Sequence, residues 1–282
     1  MLKDAIGGFR AALSFLTTLP VGVGEGDYDR FTERVYLFVL VGIAAGLILA
    51  LAGLVFQALL PPALIAIILV ACIYLLTGIN HIDGFSDMGD GVIACGPVEK
   101  KVKAMKDVHA GAGGVLFIVM DVLLLYSAIS VFVGRPGYFL VAVLFIAEVC
   151  AKVSSSTIIS FGKSLHTGMG SIVIAGAKKP HYYAGIIVAL AVCMFVVPVS
   201  IVLWALVGMI GNFSIPVLAN LWVKTVFVGM ASVITAILTG FAVRRVANSN
   251  FGGVNGDVIG AANEAGRFMS LIVTGTLLWI LF

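Results

Sequence analysis

Long uninterrupted apolar runs constrain this chain more than any other feature. They are legible at about 35–60, 62–79, 113–134, 138–161, 183–210, 221–243 and 268–282. A helix needs about 20 apolar residues to cross the hydrocarbon core of a bilayer. All but the last run reach or approach that length. Composition agrees: 61% of the 282 residues are hydrophobic and only 11% are charged, with a mean hydropathy of +1.15. A soluble domain carries roughly 25% charged residues, so this chain lacks the polar surface to dissolve in water. The expected fold is all-α and polytopic, with about seven transmembrane helices in a single membrane domain over 1–282. There is no Pro- or Ser-rich linker, low-complexity tract or clear internal repeat.

The N-terminal stretch "MLKDAIGGFRAALSFLTTLP" reads as an interfacial amphipathic helix ended by Pro20. Asp4 and Arg10 interrupt the apolar core that a signal peptide would need. Pro198 predicts a kink in the fifth run. Gly42, Gly46 and Gly53 predict close packing of the first run against another helix.

Seven spans put residues 1–34, 80–112, 162–182 and 244–267 on one side. That side holds Lys3, Arg10, Arg30, Arg34, Lys100, Lys101, Lys103, Lys106, Lys163, Lys178, Lys179, Arg244, Arg245 and Arg267. The other side holds Arg135 and Lys224. By the positive-inside rule the polar segments are cytoplasmic and the protein is a multi-pass component of the cell membrane. A net charge of +3 gives no footprint for nucleic acid. Cys72, Cys95, Cys150 and Cys193 are widely spaced and read as reduced thiols.

The segment "GINHIDGFSDMGDGVIACG" follows the second run directly. If residues 80–92 continue that helix, Asp83, Asp87 and Asp90 fall at i, i+4 and i+7. They then share an arc of roughly 60° on one face. Three like charges on one stripe repel, and a bound divalent cation removes that cost. Mg²⁺ suits carboxylate oxygens and commonly shares substrate phosphates. Gly84 and Gly91 would let a helix or a phosphate approach closely. Asp121, Glu148 and Lys152 lie within runs, where ionisable groups are costly and often functional. Asp121 and Lys152 fall at similar depths and are expected to neutralise one another between the third and fourth spans.

"TGINHIDGFSDMGDG" resembles the signature of the cobalamin synthase family, the adenosylcobinamide-GDP ribazoletransferases. "FLTTLPV" (15–21), "EKKVKAMKDVHAGAGG" (99–114) and "GGVNGDVIGAANE" (252–264) resemble further family segments, in the family's order. Val108, His109 and Asn255 stand where the family commonly has other residues. The resemblance implies transfer of α-ribazole, or its 5′-phosphate, onto adenosylcobinamide-GDP with release of GMP. It implies Mg²⁺ as cofactor, held by Asp83, Asp87, Asp90 and Asp107. A base for the attacking hydroxyl would be Asp90, Asp107 or His81. Lys106 and His109 would face the diphosphate, and Asn255 and Asp257 the nucleotide or metal. Glu264 matches a motif position and equally suits a solvated helix charge. The implied partners are these two substrates and the lipid bilayer, and a homo-oligomer is compatible with the sequence.

Two other classes suit parts of the pattern. A CDP-alcohol phosphotransferase would also place aspartates at a membrane boundary, but its DGxxAR opening is missing, since Gly84 is followed by Phe85, Ser86 and Asp87. A transporter would use Asp121, Glu148 and Lys152 as an ion path, but no inverted repeat is evident.

Overall fold

The computed structural model describes residues 2–206 and 215–282, and side chains within 5–202 and 220–282. Residues 207–210, the end of the fifth apolar run, lie outside the described residues. Among the described residues the named elements are all helices. In order come α1 (Leu2–Leu16), α2 (Asp27–Glu33), α3 (Tyr36–Leu59), α4 (Pro62–Thr77), α5 (Asn80–Ile93) and α6 (Val98–Met105). Then follow α7 (Ala112–Ser130), α8 (Gly137–Phe161), α9 (Met169–Gly176), α10 (Lys179–Leu206), α11 (Ile215–Phe251) and α12 (Gly256–Leu281).

Helices α3, α7, α8, α10, α11 and α12 are each long and apolar enough to cross a membrane, and the number is seven if α4 and α5, bent against each other, are counted together as one broken span. Helix α8 is the hub. It is apolar nearly all round and almost wholly buried, as a helix surrounded by other helices must be. Helix α3 lies close against it through the predicted glycines. A Cβ on Gly42 would come within 2.8 Å of the Glu148 carbonyl oxygen, and one on Gly46 within 3.0 Å of Phe145 Cα. The outer faces expose Leu47, Leu51, Leu75, Ile187, Val223 and Leu238 to the surroundings, the surface that a bilayer would cover. Helix α10 runs through Pro198. Helix α1 buries Ala11, Ala12 and Leu16 in the same cluster as Phe31 of α2 and Leu37 of α3.

Three expectations need correction. First, α5 does not continue α4: the two are bent by 96°. The break is Gly78, at φ 73°, a backbone conformation open to glycine at little cost. The aspartate spacing holds, because Asp83, Asp87 and Asp90 all lie within the separate helix α5. Second, residues 244–267 do not form a long polar loop. Helix α11 reaches Phe251 and α12 starts at Gly256, leaving a short turn with Gly252 at φ 80°. The last span is therefore much longer than its apolar run. Third, residues 162–182 are largely helical, comprising α9 and the start of α10.

Candidate active site

The bend at Gly78 lays α5 against the N-terminal end of α12. Gly84 permits it: a Cβ there would lie 2.6 Å from the Asp257 carbonyl oxygen. The glycine thus admits a helix end rather than a phosphate. Gly260 does the same one turn on, where a Cβ would meet His81 Cα at 3.1 Å. The segment after α8 closes the third side. Leu165 N–H donates to Val254 O (2.8 Å) and Val254 N–H donates to Lys163 O (2.8 Å). Residues far apart in the chain, in α5, 163–170 and 252–260, thereby share one corner of the molecule.

The turn before α12 is held by Asn255. Its side-chain oxygen accepts from Val258 N–H (3.0 Å), and its amide donates to Asp257 Oδ2 (2.6 Å). Asparagine is among the strongest N-cap residues, and Asn255 caps α12 here.

Four carboxylates lie within electrostatic reach of one another. Asp87 feels the negative charges of Asp83, Asp257 and Asp90. Asp257 feels Asp83 as a like charge, and His166 and Lys106 as opposite ones. Asp83 is exposed, while Asp87 and Asp257 are half-buried. Among the described residues, no three His, Cys, Asp or Glu side chains are placed to hold a metal ion by themselves. Mg²⁺ does not require that: it commonly takes one or two carboxylates and completes its shell with water and substrate phosphate. The hard oxygen donors of Asp83 and Asp87, with their mutual repulsion, fit such an ion.

The other expected site residues sort themselves by partner. Both oxygens of Asp90 accept backbone N–H groups at the start of α7, from Gly111 (2.8 Å) and Gly114 (2.8 Å). Asp90 thereby ties α5 to α7, with one lone pair per oxygen to spare. Gly111 and Gly114 are required for that approach, since a Cβ on either would collide with the Asp90 carboxylate. Asp107 accepts from the His109 backbone N–H (3.0 Å), and His109 Nδ1 lies 3.0 Å from the same oxygen. These bonds, the backbone one foremost, hold the Asp107 carboxyl below its ordinary range. Lys106 is exposed and its charge acts on Asp257. His166, from the segment after α8, acts on Asp257 as well. His181 sits instead against the Glu33 carbonyl (2.6 Å), next to the Lys178–Glu33 ion pair.

His81 helps line a cleft of about 370 Å³ that also includes Ser14, Phe38, Ser155, Val173 and Asp257. Its Nε2 is buried and has no hydrogen-bond partner.

Below the cleft lies an ionic network that the sequence reading did not anticipate. Arg267 donates through Nε to Glu148 Oε1 (2.6 Å) and through Nη1 to Glu264. Lys152 donates to Asn263 Oδ1 (2.7 Å), and Asn263 in turn donates to Glu264 Oε1 (3.0 Å). Glu148, Lys152, Asn263, Glu264 and Arg267 are all at most 1% exposed. The expected Asp121–Lys152 pair does not form, because Tyr74 donates to Asp121 (2.6 Å) and Lys152 turns to α12. Arg267 is a core residue rather than a topology signal, and Glu264 is not a solvated charge. The available clue was Glu264–Arg267 at i, i+3 beside Glu148, an acid that had no assigned partner of its own.

Fold and site together define a polytopic membrane protein with a carboxylate-rich site where α5 meets α12 at one end of the bundle. The description of cobalamin-5-phosphate synthases matches residues 8–275, and the chain belongs to that family. It is 49% identical over its full length to a Methanocella arvoryzae protein named adenosylcobinamide-GDP ribazoletransferase, which is covered in full. It is 32% identical to a Methanococcoides burtonii protein of the same name, with 94% of this chain and 90% of that one covered. A Thermococcus kodakarensis protein, also so named, is 29% identical, with 96% and 100% covered. No solved structure matches the chain.

Proposed function

We propose that this protein transfers α-ribazole, or its 5′-phosphate, onto adenosylcobinamide-GDP and releases GMP. The observation that carries the reading is the meeting of Asp83 and Asp87 with Asp257, in a chain similar over its whole length to proteins named for that reaction. In the reaction a ribose hydroxyl oxygen bonds to the phosphorus attached to cobinamide. The phosphorus–oxygen bond to GMP breaks, and GMP leaves with the electron pair.

Asp83 and Asp87, with the spare lone pairs of Asp90, would hold Mg²⁺. Bound there, the ion supplies positive charge against the diphosphate oxygens, the main need of phosphoryl transfer. Lys106 adds a cation from the α6–α7 turn. Asp107, exposed and held ionised by His109, is a weak base and serves better to order that turn. Asp257, fixed through Oδ2 by Asn255, offers its other oxygen to the attacking hydroxyl.

The positive-inside bias supports a cytoplasmic site in the cell membrane, even with Arg267 removed from the count of loop charges. The whole chain, 1–282, acts as one domain in this reading.

Protein in nanodiscs, given adenosylcobinamide-GDP, α-ribazole and Mg²⁺, should release GMP. Asp83→Ala should lower that rate by roughly 100-fold or more, the scale of losing a transition-state charge stabiliser. Equal release by the variant sinks the assignment of the site, and no release by the wild type sinks the function.

A further inference from the structure

We propose that the cleft beside Asp257 seats the benzimidazole nucleoside, with its apolar base against Leu16, Phe38 and Val173 and its ribose towards Asp257. The inference rests on the ribazole-transfer reading and adds to it which substrate lies where.

Size is the first argument. At about 370 Å³ the cleft is at the small end of ligand pockets. It takes one nucleoside and cannot take a corrin macrocycle. Position is the second. Asp257 belongs both to the cleft wall and to the carboxylate group at Asp83 and Asp87. A ribose at that end is therefore next to the proposed diphosphate site.

Lining chemistry separates the two nucleosides in the reaction. The guanosine of the other substrate carries a diphosphate and a base edge rich in donors and acceptors. The cleft has no Lys or Arg in its lining, and its deeper wall is apolar: Leu16, Phe38, Ile159 and Val173. A methylated benzimidazole suits that wall, since apart from the nitrogen that carries the ribose its ring has one acceptor nitrogen and otherwise only carbon. Besides Asp257, the polar side chains of the lining are Ser14, Tyr28, Asn80, His81 and Ser155, most of them neutral hydrogen-bonding groups. His81 lines the cleft, and its buried Nε2 has no hydrogen-bond partner. Ser155 is braced from behind, donating to Ala151 O (2.8 Å). Its Oγ also lies 3.4 Å from Asn263 Oδ1, the acceptor for Lys152, so the cleft floor adjoins the ionic network.

Ser14→Phe puts a ring into the cleft from α1, a helix that carries none of the site carboxylates. In nanodiscs, KM for α-ribazole should rise roughly tenfold or more, the range over which pockets discriminate by size. KM for adenosylcobinamide-GDP should stay about the same. A rise confined to adenosylcobinamide-GDP, or no rise for either substrate, overturns the assignment. Ser14→Cys in a Cys95→Ser background gives a second test that needs no catalysis. α-Ribazole should slow maleimide labelling at position 14, and GDP should not. Protection by GDP alone, or by neither, also overturns it. Failure of wild-type GMP release would instead count against the transfer reading, since labelling reports on the cleft by itself.

Discussion

Arg267 is the residue whose removal should hurt this protein most. It lies at 0% exposure between Glu148 at 1% and Glu264 at 0%. It donates three hydrogen bonds, two to Glu148 (2.6 and 3.3 Å) and one to Glu264. Arg267→Met keeps an unbranched, apolar side chain in the same space, so little volume is lost. What it leaves is two buried carboxylates sharing one Lys–Asn arm. Breaking a buried ion pair from one side costs about 3–5 kcal/mol. For a chain of this size each kcal/mol shifts the unfolding temperature by roughly 2–4 °C, so a fall of about 10 °C is expected. The assay is thermal unfolding of detergent-solubilised protein, followed by loss of the monodisperse peak. The triple variant Glu148→Gln, Glu264→Gln, Arg267→Met removes the stranded charges and should recover much of the loss. A shift below ~2 °C for Arg267→Met, or a triple variant worse than the single one, would refute the reasoning that charge compensation holds α8 and α12 together.

Three further outcomes follow from the packing and the polar contacts. Asp90→Ala removes both acceptors for the first amides of α7 and should cost about 1–2 kcal/mol, as helix-cap losses do. Hydrogen exchange should quicken at 107–116 while the span ends elsewhere are unchanged. Gly46→Leu forces α3 off Phe145 and should cost roughly 1–3 kcal/mol by overpacking. Gly22→Ala, with open space around it, should cost far less. Asp27 gives a pH signature. The Gly24 N–H first, then Arg10 and Arg30, hold its carboxyl below the ordinary 3.8. A depressed carboxyl contributes stability above its unfolded pKa and loses it as pH falls through the lower folded value. Wild-type stability should therefore decline as pH drops below about 4. Asp27→Asn should flatten that part of the unfolding-temperature profile, and identical profiles would dismiss the role.

The spans were legible because crossing a bilayer is a local demand. Each helix must supply its own apolar length, and the runs at 35–60, 113–134 and 138–161 show it directly. The glycines at 42 and 46 were equally legible, since a missing Cβ in an apolar helix has few uses besides close packing. The aspartate stripe of α5 could be read from spacing alone, because helical periodicity does not depend on what the helix faces.

Partners were decided only by the tertiary structure. Glu264 and Arg267 look hydrophilic in sequence, so 244–267 reads as a loop. They become core once Glu148, more than a hundred residues earlier, supplies the compensating charge. Asp90 looks like one of three equal ligands, until the amides of Gly111 and Gly114 claim both its oxygens. The cleft could not be foreseen either, because its walls come from α1, α2, α3, α5, α8, α9 and α12. Hydropathy is a property of a segment and can be summed along the chain. Charge compensation and the shape of a cavity are properties of pairs, and the pairs exist only after folding.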